Sequence, residues 1–194
     1  MKNIHKFFII AIVMFSMLTV SLNAMEKMNV VHDFELKDYN ENLHTLSDFK
    51  DSKATVIMFI ATRCPVSNAY NERMANLHDA YKDKGIQFVG INSNKQEDIK
   101  EIKKHAMENK LNFTILKDHN NIVADKYNAS VTPEVYVINS DHELLYHGRI
   151  DDDRREKEVK SKDLRNVLDK IVANEDVEFV KTKAFGCTIK RVSK

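Results

Sequence analysis

The sequence predicts a layered α/β domain built on a partly parallel sheet, and three observations carry that prediction. A continuous apolar run of strand length, residues 55–60, reads as a central strand buried on both faces, and residues 86–91 as the next buried strand. Between and after them apolar residues recur at helical spacing. A hairpin-like stretch and a last amphipathic segment then close the alternation of strands and helices. The 194 residues carry 30 Lys+Arg against 29 Asp+Glu and are 43% hydrophobic, which suits one ordinary globular domain. That charge balance speaks against nucleic acid as a partner, which calls for a basic excess or stripe. Two cysteines are too few for a disulfide-stapled scaffold or a paired-cysteine zinc site.

Taken in order, Phe34-Glu35-Leu36 and residues 43–46 alternate as short strands around an Asn/Asp turn. After the first buried strand, Val66, Tyr70, Met74, Leu77 and Tyr81 mark one face of a helix that runs from Pro65 and is closed by Gly85. The second buried strand follows, then helical spacing at Ile99, Ile102 and Ala106, and a strand over 113–116. A short helix from about 122 to 127 leads through Val131-Thr132-Pro133 into a strand over 135–138. Residues 139–142 form a turn and 144–146 its hairpin partner. Ser161 is placed to cap a final helix carrying Leu164, Leu168 and Ile171. From about residue 175 a tail without apolar periodicity remains.

The first 24 residues read as a signal peptide rather than as part of the domain. Lys2 and Lys6 precede an uncharged run of 14 residues, 7–20, and Ser21-Leu22-Asn23-Ala24 ends in the small residue that cleavage requires. The run is short for a membrane span, so the expected mature chain is a single domain of residues 25–194 with no membrane span, exported to a periplasmic or other compartment where disulfides persist.

Cys64 carries the chemistry. It directly follows a buried strand and opens a helix, where unpaired N–H groups and the helix dipole stabilise a thiolate. Pro65 suits the first helical position. Arg63 adds positive charge if its side chain turns inward, and Ser67 stands three residues on, within reach of the sulfur. The alternative for Cys64 is a buried structural cysteine acting as a small apolar residue.

Residues 59–65, Phe-Ile-Ala-Thr-Arg-Cys-Pro, together with Thr132-Pro133-Glu134-Val135, resemble the active-site and cis-proline strands of thioredoxin-like redoxins. With Ile91 to Asn94, Gly148 to Asp152 and Gly186-Cys187-Thr188-Ile189-Lys190 in the same order, the chain resembles the peroxiredoxin-like branch of the alkyl hydroperoxide reductase and thiol-specific antioxidant superfamily. The resemblance implies a thioredoxin-like fold: a central mixed sheet flanked by helices, with an N-terminal β extension. It also implies Cys64 as nucleophile and a cis Pro133 with the Thr132 backbone facing the sulfur.

Two departures bear on the activity. Ser67 stands where a redox thioredoxin has its second cysteine, so no dithiol cycle runs within the motif. The positions three and seven before Cys64, a threonine and a proline in the peroxidases, are Ala61 and Ile57, which places fast peroxidase activity in doubt. Cys187 is the remaining thiol, in a tail able to fold back over Cys64. It is the candidate resolving thiol, and a static Cys64–Cys187 disulfide is the alternative.

Other polar residues carry less. Arg149 reads as an exposed hairpin arginine, and Asp151, Asp152 and Asp153 as a solvated charge run without a calcium-loop pattern. The mature histidines, His32, His44, His78, His105, His119, His142 and His147, form no helical ligand pair, and no metal or bound cofactor is expected. Three readings stay open: a peroxiredoxin-like thiol oxidoreductase, a protein thiol–disulfide exchanger, and a non-catalytic binding domain with a structural disulfide. In the first Ser67 and Thr132 support the sulfur; in the second Cys64 holds a partner as a mixed disulfide that Ser67 cannot release. A peroxide or a protein disulfide is then the substrate, and a periplasmic thiol the reductant.

Overall fold

Every residue of β3 (Ala54–Phe59) is buried, and its side chains alternate between two separate cores. Ala54, Val56 and Met58 join one core, Ile57 and Phe59 the other, so the strand is covered on both faces as its apolar run requires. The computed structural model describes residue 31 and residues 33–193; the expected signal peptide, residues 1–24, lies outside them. Among the described residues no helix is long and apolar enough to cross a membrane.

In chain order the other strands are β1 (Glu35–Asp38), β2 (Leu43–Thr45), β4 (Ile86–Asn92), β5 (Thr114–Lys117), β6 (Val131–Thr132), β7 (Glu134–Asn139), β8 (Leu144–Gly148), β9 (Val180–Lys181) and β10 (Cys187–Thr188). Eight form one sheet in the order β2-β1-β5-β4-β3-β7-β8-β9, while β10 and β6 pair separately. The neighbours β3, β4 and β5 run parallel and β7 antiparallel to β3, which makes the sheet mixed. The helices are α1 (Pro65–Asn68), α2 (Asn71–Tyr81), α3 (Ile99–Glu108), α4 (Ile122–Lys126) and α5 (Asp163–Val172). Met74, Leu77, Ile102, Ala106, Leu164 and Leu168 bring α2, α3 and α5 to the first core. Val123 and Ala124 bring α4 to the second.

The structure corrects four local expectations. The helix from Pro65 to Tyr81 is two helices, because the Tyr70 N–H turns to the Ser67 carbonyl (2.9 Å) and tightens the backbone there. Ser161 does not cap α5: its hydroxyl donates to the Asp163 carboxylate (2.6 Å) and Lys162 stands at the cap position. Arg149 is not a free hairpin side chain, since its Nε donates to Asp163 (2.7 Å). Asp151 is only 4% exposed, unlike the solvated residue expected.

Asp151 is buried because Arg73 meets it. The guanidinium donates to Asp151 (2.6 Å), to the Asp153 carbonyl (2.9 Å) and to the carbonyls of Ala69 and Arg154. It also lies 3.8 Å over the Tyr70 ring, whose hydroxyl donates to Asp151 (2.9 Å). The pair thus fastens the start of α2 to the chain beyond β8. Removing one partner leaves the other charge buried and unpaired, so Arg73→Met is expected to cost about 3–5 kcal/mol in urea unfolding. The double variant Arg73→Met/Asp151→Leu is expected to recover part of that loss, and a double variant worse than the single would contradict the account.

Candidate active site

Cys64 is the N-cap of α1, with extended backbone (φ −83°, ψ 116°) that turns the chain from the end of the β3 run into the helix. Its sulfur accepts the Ser67 N–H at 3.3 Å, one of the first-turn donors without a helical partner. Pro65 occupies the first helical position, where a missing N–H costs no bond. The side chain is 5% exposed.

Two sequence-predicted neighbours act differently from expectation. Ser67 reaches the sulfur through its backbone; its buried hydroxyl is spent accepting the Ala61 N–H (3.2 Å). Arg63 turns away from Cys64 and forks onto Glu101, with Nε at 2.9 Å and Nη2 at 2.6 Å. Thr62 also spends its hydroxyl on Glu101. Beneath them the Thr62 and Arg63 N–H groups donate to the buried Glu97 carboxylate at 2.8 and 3.1 Å. The loop before Cys64 is therefore pinned by two acids from the segment 97–101.

On the other side of the sulfur lies the Thr132–Pro133 peptide bond, which is cis. The Cys64 thiol donates to the Thr132 carbonyl at 3.4 Å. The buried Thr132 hydroxyl makes no full hydrogen bond, but it is close enough to favour the thiolate. Glu134 secures this segment from below, accepting the Ser130 N–H (2.7 Å), the Val131 N–H (3.2 Å) and His147 Nε2 (2.7 Å). Those contacts hold the buried Glu134 carboxyl below its usual range although burial pushes it up.

The tail returns to this place. β10 pairs antiparallel with β6, Cys187 opposite Thr132 and Thr188 opposite Val131. Gly186 makes the approach possible, since a Cβ there would overlap the Thr132 carbonyl oxygen. Beyond Cys187 the strand is fastened by the Ile189 N–H to Ser130 O (3.0 Å), by burial of Ile189, and by Arg191 on Asp125 (2.9 Å).

The two thiols, both free, perturb each other. Burial pushes the Cys64 thiol up, but the Ser67 N–H that it accepts and the nearby Cys187 thiol, Thr132 hydroxyl and Cys187 N–H favour its charged form and outweigh burial, and the net shift is down. Cys187 shifts up, through burial and through the bond it gives to Cys64, although the Val66 N–H partly offsets this. Cys64, Cys187, Ser67, Thr132 and Pro133 thus converge on one spot. Glu97 and Glu134 were missed, because nothing in sequence spacing ties an acid to N–H groups of a distant loop. Among the described residues no three His, Cys, Asp or Glu side chains converge as a metal site.

Known proteins resemble this chain to different extents. The thiol-disulfide oxidoreductase ResA of Oceanobacillus iheyensis is 30% identical over 130 residues, covering 64% of this chain and 66% of the relative, just under two thirds of its length. A hypothetical protein of Sinorhizobium meliloti superposes with a TM-score of 0.79 at 33% identity, covering 85% of this chain and 94% of that one. The thioredoxin domain of a thiol-disulfide oxidoreductase from Bacteroides vulgatus, at 20% identity, shares the fold, with a TM-score of 0.60 over 74% of this chain and 95% of that domain. Residues 28–147 match the AhpC/TSA family, well over half of the sequence, and the chain belongs to that family.

Proposed function

We propose that this chain is an exported thiol–disulfide oxidoreductase with Cys64 as nucleophile and Cys187 as resolving thiol. The observation that carries the reading is the β10–β6 pairing, which sets the second thiol against the first although more than 100 residues separate them. The pair replaces in space the second motif cysteine that Ser67 lacks. The activity named for the ResA relative supports the same reaction class. Export rests on the signal-like first 24 residues.

The depressed Cys64 thiolate attacks one sulfur of a partner disulfide; that S–S bond breaks, one partner thiolate leaves and a mixed disulfide forms. Cys187 then gives up its proton and attacks Cys64 Sγ. The mixed disulfide breaks, the second partner thiolate leaves, and the Cys64–Cys187 disulfide holds the oxidised state. Two electrons have passed to the partner, and an external thiol reductant restores the pair. The asymmetry of the thiols suits the sequence of events, because the low-pKa sulfur attacks first and the protonated one waits.

Peroxide as oxidant is the second reading, favoured by the unpartnered Thr132 hydroxyl near a nearly enclosed sulfur. Against it, Ala61 and Ile57 are buried apolar residues and Thr62 faces Glu101, so that loop supplies no hydroxyl to orient a peroxide. Reduced protein given one equivalent of either hydrogen peroxide or oxidised glutathione separates the two. Faster formation of the Cys64–Cys187 disulfide with glutathione, read by intact mass, is expected; the reverse order would favour the peroxidase.

Three variants and conditions test the roles. Cys64→Ser is expected to abolish turnover, whereas Cys187→Ser retains the first attack and accumulates a stable glutathione adduct on Cys64. Alkylation of Cys64 is expected to fall as pH drops through a midpoint below the free-thiol value of about 8.5; a midpoint at or above it contradicts the nucleophile assignment. Gly186→Ala overpacks the strand crossing by about 1–3 kcal/mol, which lowers the effective concentration of Cys187 toward Cys64 roughly 5- to 150-fold. Equilibration with glutathione buffers measures that drop, and an unchanged value would refute the role of the close approach.

A further inference from the structure

Glu97 does more than pin the nucleophile loop. It is 1% exposed and all four of its partners are donors: the N–H groups of Thr62 (2.8 Å) and Arg63 (3.1 Å), and the amide nitrogens of Asn92 (2.5 Å) and Asn94 (3.1 Å). Only a carboxylate offers acceptors to all four; a Gln at this place would turn an NH₂ against at least one of them. Buried Lys117 supplies the compensating charge nearby, donating to Asn92 Oδ1 (3.1 Å) and the Asn94 carbonyl (2.7 Å).

Asn94 extends this cluster to the other thiol. While its amide nitrogen donates to Glu97, its Oδ1 accepts the Lys190 N–H at 2.7 Å, and the Lys95 N–H donates to the Lys190 carbonyl at 2.9 Å. Lys190 stands three residues after Cys187, and Arg63 one before Cys64. We infer that Glu97, acting through Asn94, is the positioning residue that holds the Cys64 loop and the Cys187 strand in register with each other. The inference rests on the proposed roles of the two thiols and names the group that sets their encounter. Other anchors hold each segment separately: Glu101 for Thr62, Ser130 and Asp125 for the tail. The Glu97–Asn94 pair joins the two, so its loss loosens their register without releasing the strand.

The test equilibrates the wild-type chain, Glu97→Gln, Asn94→Ala and Lys190→Pro with reduced and oxidised glutathione and reads the effective concentration of Cys187 toward Cys64. Lys190 is exposed, and its proline variant deletes the N–H that Asn94 accepts. That variant also fixes φ at 190 and restricts Ile189 before it, so it is read together with the cluster variants and carries the test if one of them fails to fold. Each variant is expected to lower the effective concentration about tenfold or more, one hydrogen bond or more being lost from the joint. Ile138→Val, a change in the second core, is expected to lower stability while leaving the thiol equilibrium at the wild-type value. In Asn94→Asp/Glu97→Gln the carboxylate moves to position 94 and still accepts the Lys190 N–H; partial recovery over Glu97→Gln is expected. Wild-type effective concentrations in folded Glu97→Gln and Lys190→Pro would overturn the inference while leaving the thiol pair intact. A wild-type chain that forms no Cys64–Cys187 disulfide would overturn the reading of the pair, and this inference with it.

Discussion

The two-residue ladder between β10 and β6 sets Cys187 opposite Thr132, and with it the second thiol onto a site whose other parts belong to the sheet. So short a ladder has little stability alone; it persists because the chain on either side is anchored. Gly186 lies against the Thr132 backbone, Ile189 is buried in the second core, and Arg191 grips Asp125. Without that return the fold would present a single enclosed cysteine at a helix start. With it, the Cys187 thiol and N–H join the Ser67 N–H in favouring the thiolate against burial.

Electrostatics around Cys64 comes from dipoles rather than from a neighbouring cation. Arg63 is turned away and committed to Glu101, so the thiolate is stabilised by N–H groups, a hydroxyl and the partner thiol. Such donors are fixed in place by the fold and need no reorganisation when charge develops. The acids that would oppose a thiolate are each occupied. Glu97 is enclosed by four donors, and Glu134 by Ser130, Val131 and His147.

The sheet was legible in the sequence because its central strands are stretches of strand length rich in apolar residues, and the placement of Cys64 followed from a strand that ends where a helix begins. The tail's return over Cys64 was legible as a possibility, through the absence of apolar spacing. Its register with β6 was not, because a two-residue ladder leaves no periodicity. Asp151 misled for a related reason. Three consecutive acids look solvated until Arg73, far away in sequence, is folded against the first of them. The helix break at Tyr70 was hidden because the apolar positions keep their spacing across it. Buried polar networks depend on partners distant in sequence, and spacing rules register only neighbours.

Two thiols of one pair, made chemically unequal by their surroundings, are what the fold brings to this site. Titration of the reduced protein with ¹³Cβ-labelled cysteine, followed by NMR, reads each ionisation separately. Cys64 is expected to ionise below the free-thiol value and Cys187 above it, with each titration altered when the other cysteine is replaced by serine. Two independent ionisations near about 8.5, or the reverse order, would contradict that inequality.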